Sequence, residues 1–195
     1  MTYESFGDLV LQRVDDFDLN TRNMLNIGAV LGLSFTLDEV IAVQMKTSEG
    51  QEAAVRSATQ DGLREAVKEG ILECKSVPSD DDELKEITKY SFYHAVWRTA
   101  LLNLMLDGRK RDLHRTIAEV LEDKGKGTDE YMFQTRLFSH WVQSGNFVKA
   151  AELALALGKH FEERLGLPAQ SIKLYNDALG LRRETDDVTI GVAGT

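Results

Sequence analysis

Apolar positions recur at helical spacing along most of this chain, and its polar breaks divide it into short elements. An amphipathic opening sets Phe6, Leu9, Val10 and Val14 on one side. Asp18 then stands where a cap is needed, ahead of a helix that carries Leu19, Met24, Leu25, Ile27, Ala29, Val30 and Leu31 and ends at Gly32. A second apolar segment, Leu37 to Gln44, holds Leu37, Val40, Ile41 and Val43. A third helix, from about Gln51 to Glu69, gathers Val55, Thr59, Leu63, Ala66 and Val67 on one face, and Gly70 stops it. Ile71 to Val77, an acidic loop from Pro78 to Glu83, and Ile87 to Phe92 read as a β-hairpin.

Three helices followed by a hairpin predict a winged helix. Its strand runs on into Val96, Trp97, Ala100, Leu101, Leu102, Leu104 and Met105, so apolar that the helix is predicted to be buried on most sides and to join two modules. Asp107-Gly108 marks a break before a helix opening with Arg109, Lys110 and Arg111.

Beyond Thr128 the pattern is helical throughout. Tyr131, Phe133, Leu137, Phe138 and Trp141 share one helix; after Gly145-Asn146, Val148, Ala150, Ala151, Leu153 and Leu157 share the next, an antiparallel pair. A further helix begins near Pro168 and is predicted to expose Ile172, Leu174, Tyr175, Ala178 and Leu179 before the chain weakens from Asp186 into VTIGVAGT. Helix pairs of this kind usually stack in about three repeats, so the array reads as truncated. The predicted fold is mainly α: a lead-in (1–17), a winged-helix domain with a small β-hairpin (18–106), an antiparallel α-helical, TPR-like repeat array (107–183) and a flexible tail (184–195).

Composition narrows the function. With 43% hydrophobic and 28% charged residues the chain can bury a core. The lone Cys74 has no disulfide or zinc partner, which suits a reducing compartment, and the cytoplasm is the expected location. No apolar run approaches the roughly 20 residues of a membrane helix, so a membrane role is not expected. The net charge of −9 opposes nucleic acid, and the third helix sets Arg56, Arg64 and Lys68 against Glu52, Asp61, Glu65 and Glu69. Arg109, Lys110, Arg111 and Arg115 are the counter-signal, expected to pair with acidic neighbours such as Glu119 and Glu122.

Several stretches stand out together. They are Asn23 to Gly32 with Phe35, Leu63 to Leu72, and Tyr90 to His94 with Arg98 and Ala100. Arg111, Leu113, His114, Arg115, Ile117, Ala118, Leu121 and Glu122 follow, and then His140, Trp141, Gly145, Lys149 and Ala150. From Asp18 to Leu179 these residues resemble the winged-helix and helical-repeat region that follows the nucleotide-binding domain in STAND-type (AAA) ATPases, many of which carry a class III adenylate or guanylate cyclase domain. Where the family commonly has an acidic residue after the histidine and an aromatic further on, this chain has Ala95 and Leu102. The resemblance implies a regulatory module that packs on an ATPase domain and receives protein partners on its repeats.

Catalytic chemistry is not evident. There is no G-x-x-x-x-G-K-[ST] loop and no cyclase aspartate pair, so the chain is expected to be no enzyme itself and to need no cofactor, whatever a longer parent does. Ser34, Ser91 and Ser139 lack a nucleophile elbow, and Cys74 has only Lys75 beside it. His94, His114, His140 and His160 fall on separate elements and read as structural, not as metal ligands. Asp16 to Asn20 starts like a calcium loop, but Thr21 and Ile27 occupy its glycine and glutamate positions, which makes Asp18 a cap. Asp80 to Glu83 reads as a solvated hairpin tip. Protein partners are therefore expected, reached through the repeats or an ATPase domain, with no nucleic acid; no small-molecule ligand is specified. The alternatives are a piece of a cyclase or ATPase, and a winged-helix DNA-binding regulator.

Overall fold

A computed structural model describes residues 12–47, 50–78, 86–125, 131–164 and 166–193, of which 78, 131 and 182–193 are described by backbone alone. The chain divides into two compact units, Met1–Leu113 and His114–Thr195. The described residues are mainly helical with one small antiparallel sheet of three strands.

In unit 1, α1 (Leu19–Leu31) begins where Asp18 accepts a 2.6 Å hydrogen bond from the Thr21 backbone N–H. This satisfies a donor that the first helical turn leaves unpaired. Phe17 is buried beside this cap, and the positions that a calcium loop would occupy from Leu19 to Ile27 are helical. Gly32 follows, and a short strand, β1 (Ser34–Thr36), leads directly into α2 (Leu37–Thr47). Thr36 and Glu39 bond reciprocally at that junction: the Thr36 N–H donates to Glu39 Oε2 at 2.8 Å, and the Glu39 N–H donates to Thr36 Oγ1 at 3.2 Å. This is a capping box. In α3 (Glu52–Lys68), Thr59, Leu63 and Ala66 are buried. The helix ends with Gly70 at φ +70, which lets Gly70 N–H reach Val67 O and Ile71 N–H reach Ala66 O.

The hairpin forms as expected, β2 (Leu72–Pro78) against β3 (Glu86–Phe92) with Cys74 opposite Tyr90. The sheet also takes in β1, which pairs Phe35 with Tyr90, so the strand order is β1-β3-β2. That third strand was absent from the sequence reading. The core joins α1, α2 and α3 to the sheet through Met24, Leu25, Val30, Val40, Val43, Leu63, Phe35 and Leu72, all nearly inaccessible. The tip residues Asp80 to Glu83, and Phe6, Leu9 and Val10, lie outside the described residues.

Three expectations, for α1 and for the two helices that follow the sheet, need correction. Leu19, counted on the apolar face of α1, is 66% exposed because it sits in the first turn, on the outer side of the helix. The helix after the sheet, α4 (Ala95–Leu104), is not buried on most sides: Leu101 is its one buried residue, while Val96 and Leu104 are exposed and Trp97 and Leu102 are half-buried. Ten residues offer one face to α1, and the apolar content exceeds what that face can cover. The break between the two helices falls at Met105 and Leu106, two residues before the expected Asp107-Gly108, because α5 (Asp107–Lys124) starts at Asp107, which pairs with Lys110 at 2.7 Å in its first turn.

Unit 2 holds the rest of α5, α6 (Tyr131–Ser144), α7 (Phe147–Glu163) and α8 (Pro168–Ala193). The turn at Gly145 (φ +78) closes α6 through Asn146 N–H to Trp141 O, and Asn146 then caps α7 by accepting from Lys149 N–H. Helices α7 and α8 approach through small residues, with Ala151, Ala154 and Ala178 forming one buried cluster. Ala178 is thus buried where exposure was expected; Leu174 and Tyr175 are half-buried, while Ile172 and Leu179 are exposed as predicted. Val148 is exposed instead of facing the pair. The backbone of α8 stays helical past Asp186 to Ala193, beyond the expected weakening. Among the described residues no helix is long and apolar enough to cross a membrane.

Asp18→Ala is expected to destabilise the chain by about 1 kcal/mol at neutral pH, the usual worth of an N-cap. The Thr21 bonds hold the Asp18 carboxyl below its ordinary 3.8. Its contribution is therefore complete above that value and lost as the pH falls through the lower folded value. Denaturant unfolding of both proteins from neutral to strongly acidic pH should show the gap closing only in acid. A gap that is constant across the range would refute the cap.

Candidate functional site

The resemblance residues of unit 2 come together on α5, α6 and α7. Four-residue steps along α5 put Leu113, Ile117 and Leu121 inside, all buried, and set His114 and Glu122 alongside that stripe. On α6 the adjacent His140 and Trp141 are both buried next to Leu137. Lys149 is delivered by the first turn of α7, which the Gly145-Asn146 turn orients.

Two polar contacts result. The Trp141 indole N–H donates to Glu122 Oε1 at 3.0 Å, Lys149 Nζ donates to Glu122 Oε2 at 2.7 Å, and Lys149 Nζ lies 4.2 Å from the centre of the Trp141 ring. One carboxylate thereby satisfies a buried indole and a cation, and that cation also covers the ring face. Glu122, expected to pair with the basic start of α5, faces Lys149 and Trp141. Beside this triad, His114 Nδ1 and His140 Nδ1 are 2.9 Å apart, with ring centres at 5.1 Å. Such a bond needs one donor and one acceptor, so the two rings cannot both be protonated. Burial, then the nearby His114 and Arg136, push the His140 imidazole down to about 3. His140 is therefore neutral at physiological pH, and its tautomer sets which of the two rings donates.

The arrangement binds three helices through satisfied polar groups; among the described residues no group of three or more His, Cys, Asp or Glu can hold a metal. Sequence reasoning placed these histidines on separate elements and missed that two of them meet. Their apolar flanks, Leu113 with Ile117 and Leu137 with Trp141, marked each as facing inward, but not as facing each other.

The remaining candidates lie apart from that cluster. Arg98 Nε donates to Ala29 O at 2.8 Å, a carbonyl in the last turn of α1 that the helix itself leaves unpaired. Burial lowers the pKa of Arg98 from its ordinary value. His94 is exposed at the start of α4, edge-on to Tyr93 at 4.6 Å, and Arg111 and Arg115 are exposed on α5. Ala150 is buried in α7. His160 lines a surface hollow of about 260 Å³ with Gln134, Glu163 and Arg164. Ser34 and Ser91 face each other across β1 and β3, Ser91 Oγ donates to Glu73 at 3.2 Å, and Ser139 is exposed on α6. Cys74 is exposed on β2.

On α3 two of the three cations, Arg56 and Arg64, face acids. Arg56 lies 2.9 Å from Asp38 and 3.7 Å from Glu52, Arg64 lies 2.9 Å from Asp61, and Glu69 takes Arg13 at 3.3 Å. These pairs are exposed and add little stability, yet they cancel the field of the helix. No family model, curated protein or solved structure matches the chain.

A neutral, buried His140 has a consequence in acid. Below about 6.5 the unfolded chain takes up a proton that the folded one refuses, so stability falls with pH by about 1.4 kcal/mol per unit toward a value near 3. In histidine NMR the His140 ring should show no titration between pH 5 and 8. A normal titration midpoint near 6.5 would show that the ring is solvated and the pair open.

Proposed function

We propose that this chain is a non-catalytic interaction module, a winged helix followed by TPR-like helical repeats, of the kind that links the nucleotide-driven switch of STAND-type ATPases to partner proteins. The observation that carries the winged-helix reading is the element order α-β-α-α-β-β with strands ordered β1-β3-β2. The repeat reading is supported by the tight α6–α7 turn and the small-residue contact of α7 with α8. The residues shared with that family are held as structure: Trp141 and Lys149 on Glu122, His140 on His114, Arg98 on the end of α1. They bind elements to one another and leave the work of the module to its surfaces and to protein partners.

The winged-helix topology also suits a DNA reader, and electrostatics favours the protein-contact reading. A duplex is bound through net positive charge offered to its phosphates. Here the helix that would enter the groove presents Arg56 and Arg64 already paired to Asp38, Glu52 and Asp61. We therefore assign the module to protein contacts.

Two readouts test this. Labelled DNA duplexes titrated at physiological salt should show only weak binding without sequence preference; a submicromolar complex lost on Arg64→Glu would establish the DNA reading instead. The reading frame around this chain should encode a G-x-x-x-x-G-K-[ST] loop upstream. A complete frame without that loop would remove the link to an ATPase.

A further inference from the structure

We propose that unit 1 binds a small organic anion, a phosphate or carboxylate group carried on a hydroxyl-bearing body, in the cavity between α1, α2, α3 and the first turn of α5. The cavity has a volume of about 440 Å³, the size of small-ligand sites. Its polar lining is Asn20, Asn23, Gln44, Thr47, Thr59 and Arg109, and the four remaining lining residues are apolar. Among the described residues no carboxylate lines it, in a chain with 32 Asp and Glu. It is thus a place where the acidic surface of the protein gives way to neutral donors and one cation.

The pairing pattern makes the cavity distinctive. The side chains of Asn20, Asn23 and Arg109 make no hydrogen bond or ion pair among the described residues. Several other cations of the unit are engaged: Arg56 and Arg64 with acids, Lys110 with Asp107, Arg98 with a backbone carbonyl. A single solvated arginine is ordinary. Three unpaired polar side chains converging on one acid-free hollow are what a bound molecule would satisfy.

The chemistry follows from the donors. A guanidinium offers a planar pair of N–H groups that matches two oxygens of a carboxylate or phosphate. Each asparagine amide presents a donor and an acceptor, which suits hydroxyls on the same molecule. The buried Thr59 hydroxyl lies 2.6 Å from the Gln44 side-chain amide and 2.7 Å from Val55 O, which ties that amide to the cavity wall. The apolar remainder supports a carbon skeleton. This inference does not depend on the module's proposed role, because it concerns the cavity alone.

The test uses the full chain labelled with ¹⁵N and titrated with ribose 5-phosphate, with ribose and inorganic phosphate run alongside. The side-chain amide resonances of Asn20 and Asn23 should shift saturably with ribose 5-phosphate, and more weakly with either half. Arg109→Gln should weaken that binding about tenfold or more, while Lys110→Gln, one residue away, should leave it unchanged. Asn23→Asp, which puts a carboxylate into the cavity, should abolish it. Arg109 is exposed and Asn23 and Lys110 are half-buried, and a native amide spectrum confirms the fold of each variant. The absence of a saturable shift would overturn the proposal. So would equal losses in Arg109→Gln and Lys110→Gln, which would mean attraction to general positive charge and no built site.

Discussion

Unit 1 is organised around the Phe35 ring lying on α1 where Gly28 has no side chain. A Cβ built at Gly28 would stand 2.6 Å from the Cε1 and Cζ atoms of that ring, closer than any packed core allows. The ring is 1% exposed and is flanked by Tyr90 and Phe92 at 6.2 and 6.1 Å between centres. One glycine thus lets a three-residue strand press against a helix, and the strand brings β3 with it. Sheet and helices share a core through this contact. Arg98 adds to the same corner by capping the nearby Ala29 carbonyl, so α4 is held to the end of α1 by a hydrogen bond and by Leu101 together.

Unit 2 repeats the device with different residues. Gly158 of α7 leaves room for the Tyr175 ring, whose Cε1 atom would be 2.5 Å from an added Cβ, and the Tyr175 hydroxyl donates to Glu162 at 2.9 Å. With Ala151, Ala154 and Ala178 this gives α7 and α8 a close seam, while Trp141, Glu122 and Lys149 bind α5, α6 and α7 through a satisfied polar cluster. A buried indole and a buried imidazole are costly without partners, so this cluster specifies the helix register as well as stabilising it.

Most of the helices were legible in the sequence because their ends carry local chemistry. Asp18, Gly32, Gly70, Gly145 and Pro168 each mark a boundary by a cap, a positive φ or a fixed one, and none depends on the rest of the fold. The Thr36-x-x-Glu39 box was equally local and marks the start of α2. What remained hidden was tertiary. Ser34-Phe35-Thr36 alternates, but three residues are too few to signal a strand, and it becomes one only because β3 pairs with it. Apolar content exaggerated the burial of α4, since composition reports how much could be covered and not which face has a neighbour. The meeting of His114 with His140 and the unpaired state of Arg109 belong to the same class, because each depends on what another helix offers.

The Gly28–Phe35 contact seats the sheet on α1, and Gly28→Ala tests it with opposing effects of known sign. Alanine in the middle of a helix gains about 1 kcal/mol over glycine. Overpacking a buried ring costs about 1–3 kcal/mol. Denaturant unfolding of Gly28→Ala should therefore show a net loss of stability, and Phe35→Leu in the same chain should recover part of it. A Gly28→Ala protein as stable as the parent or more so, with no coupling to Phe35→Leu, would show that helix propensity alone governs the site and that the sheet is not seated on α1 as described.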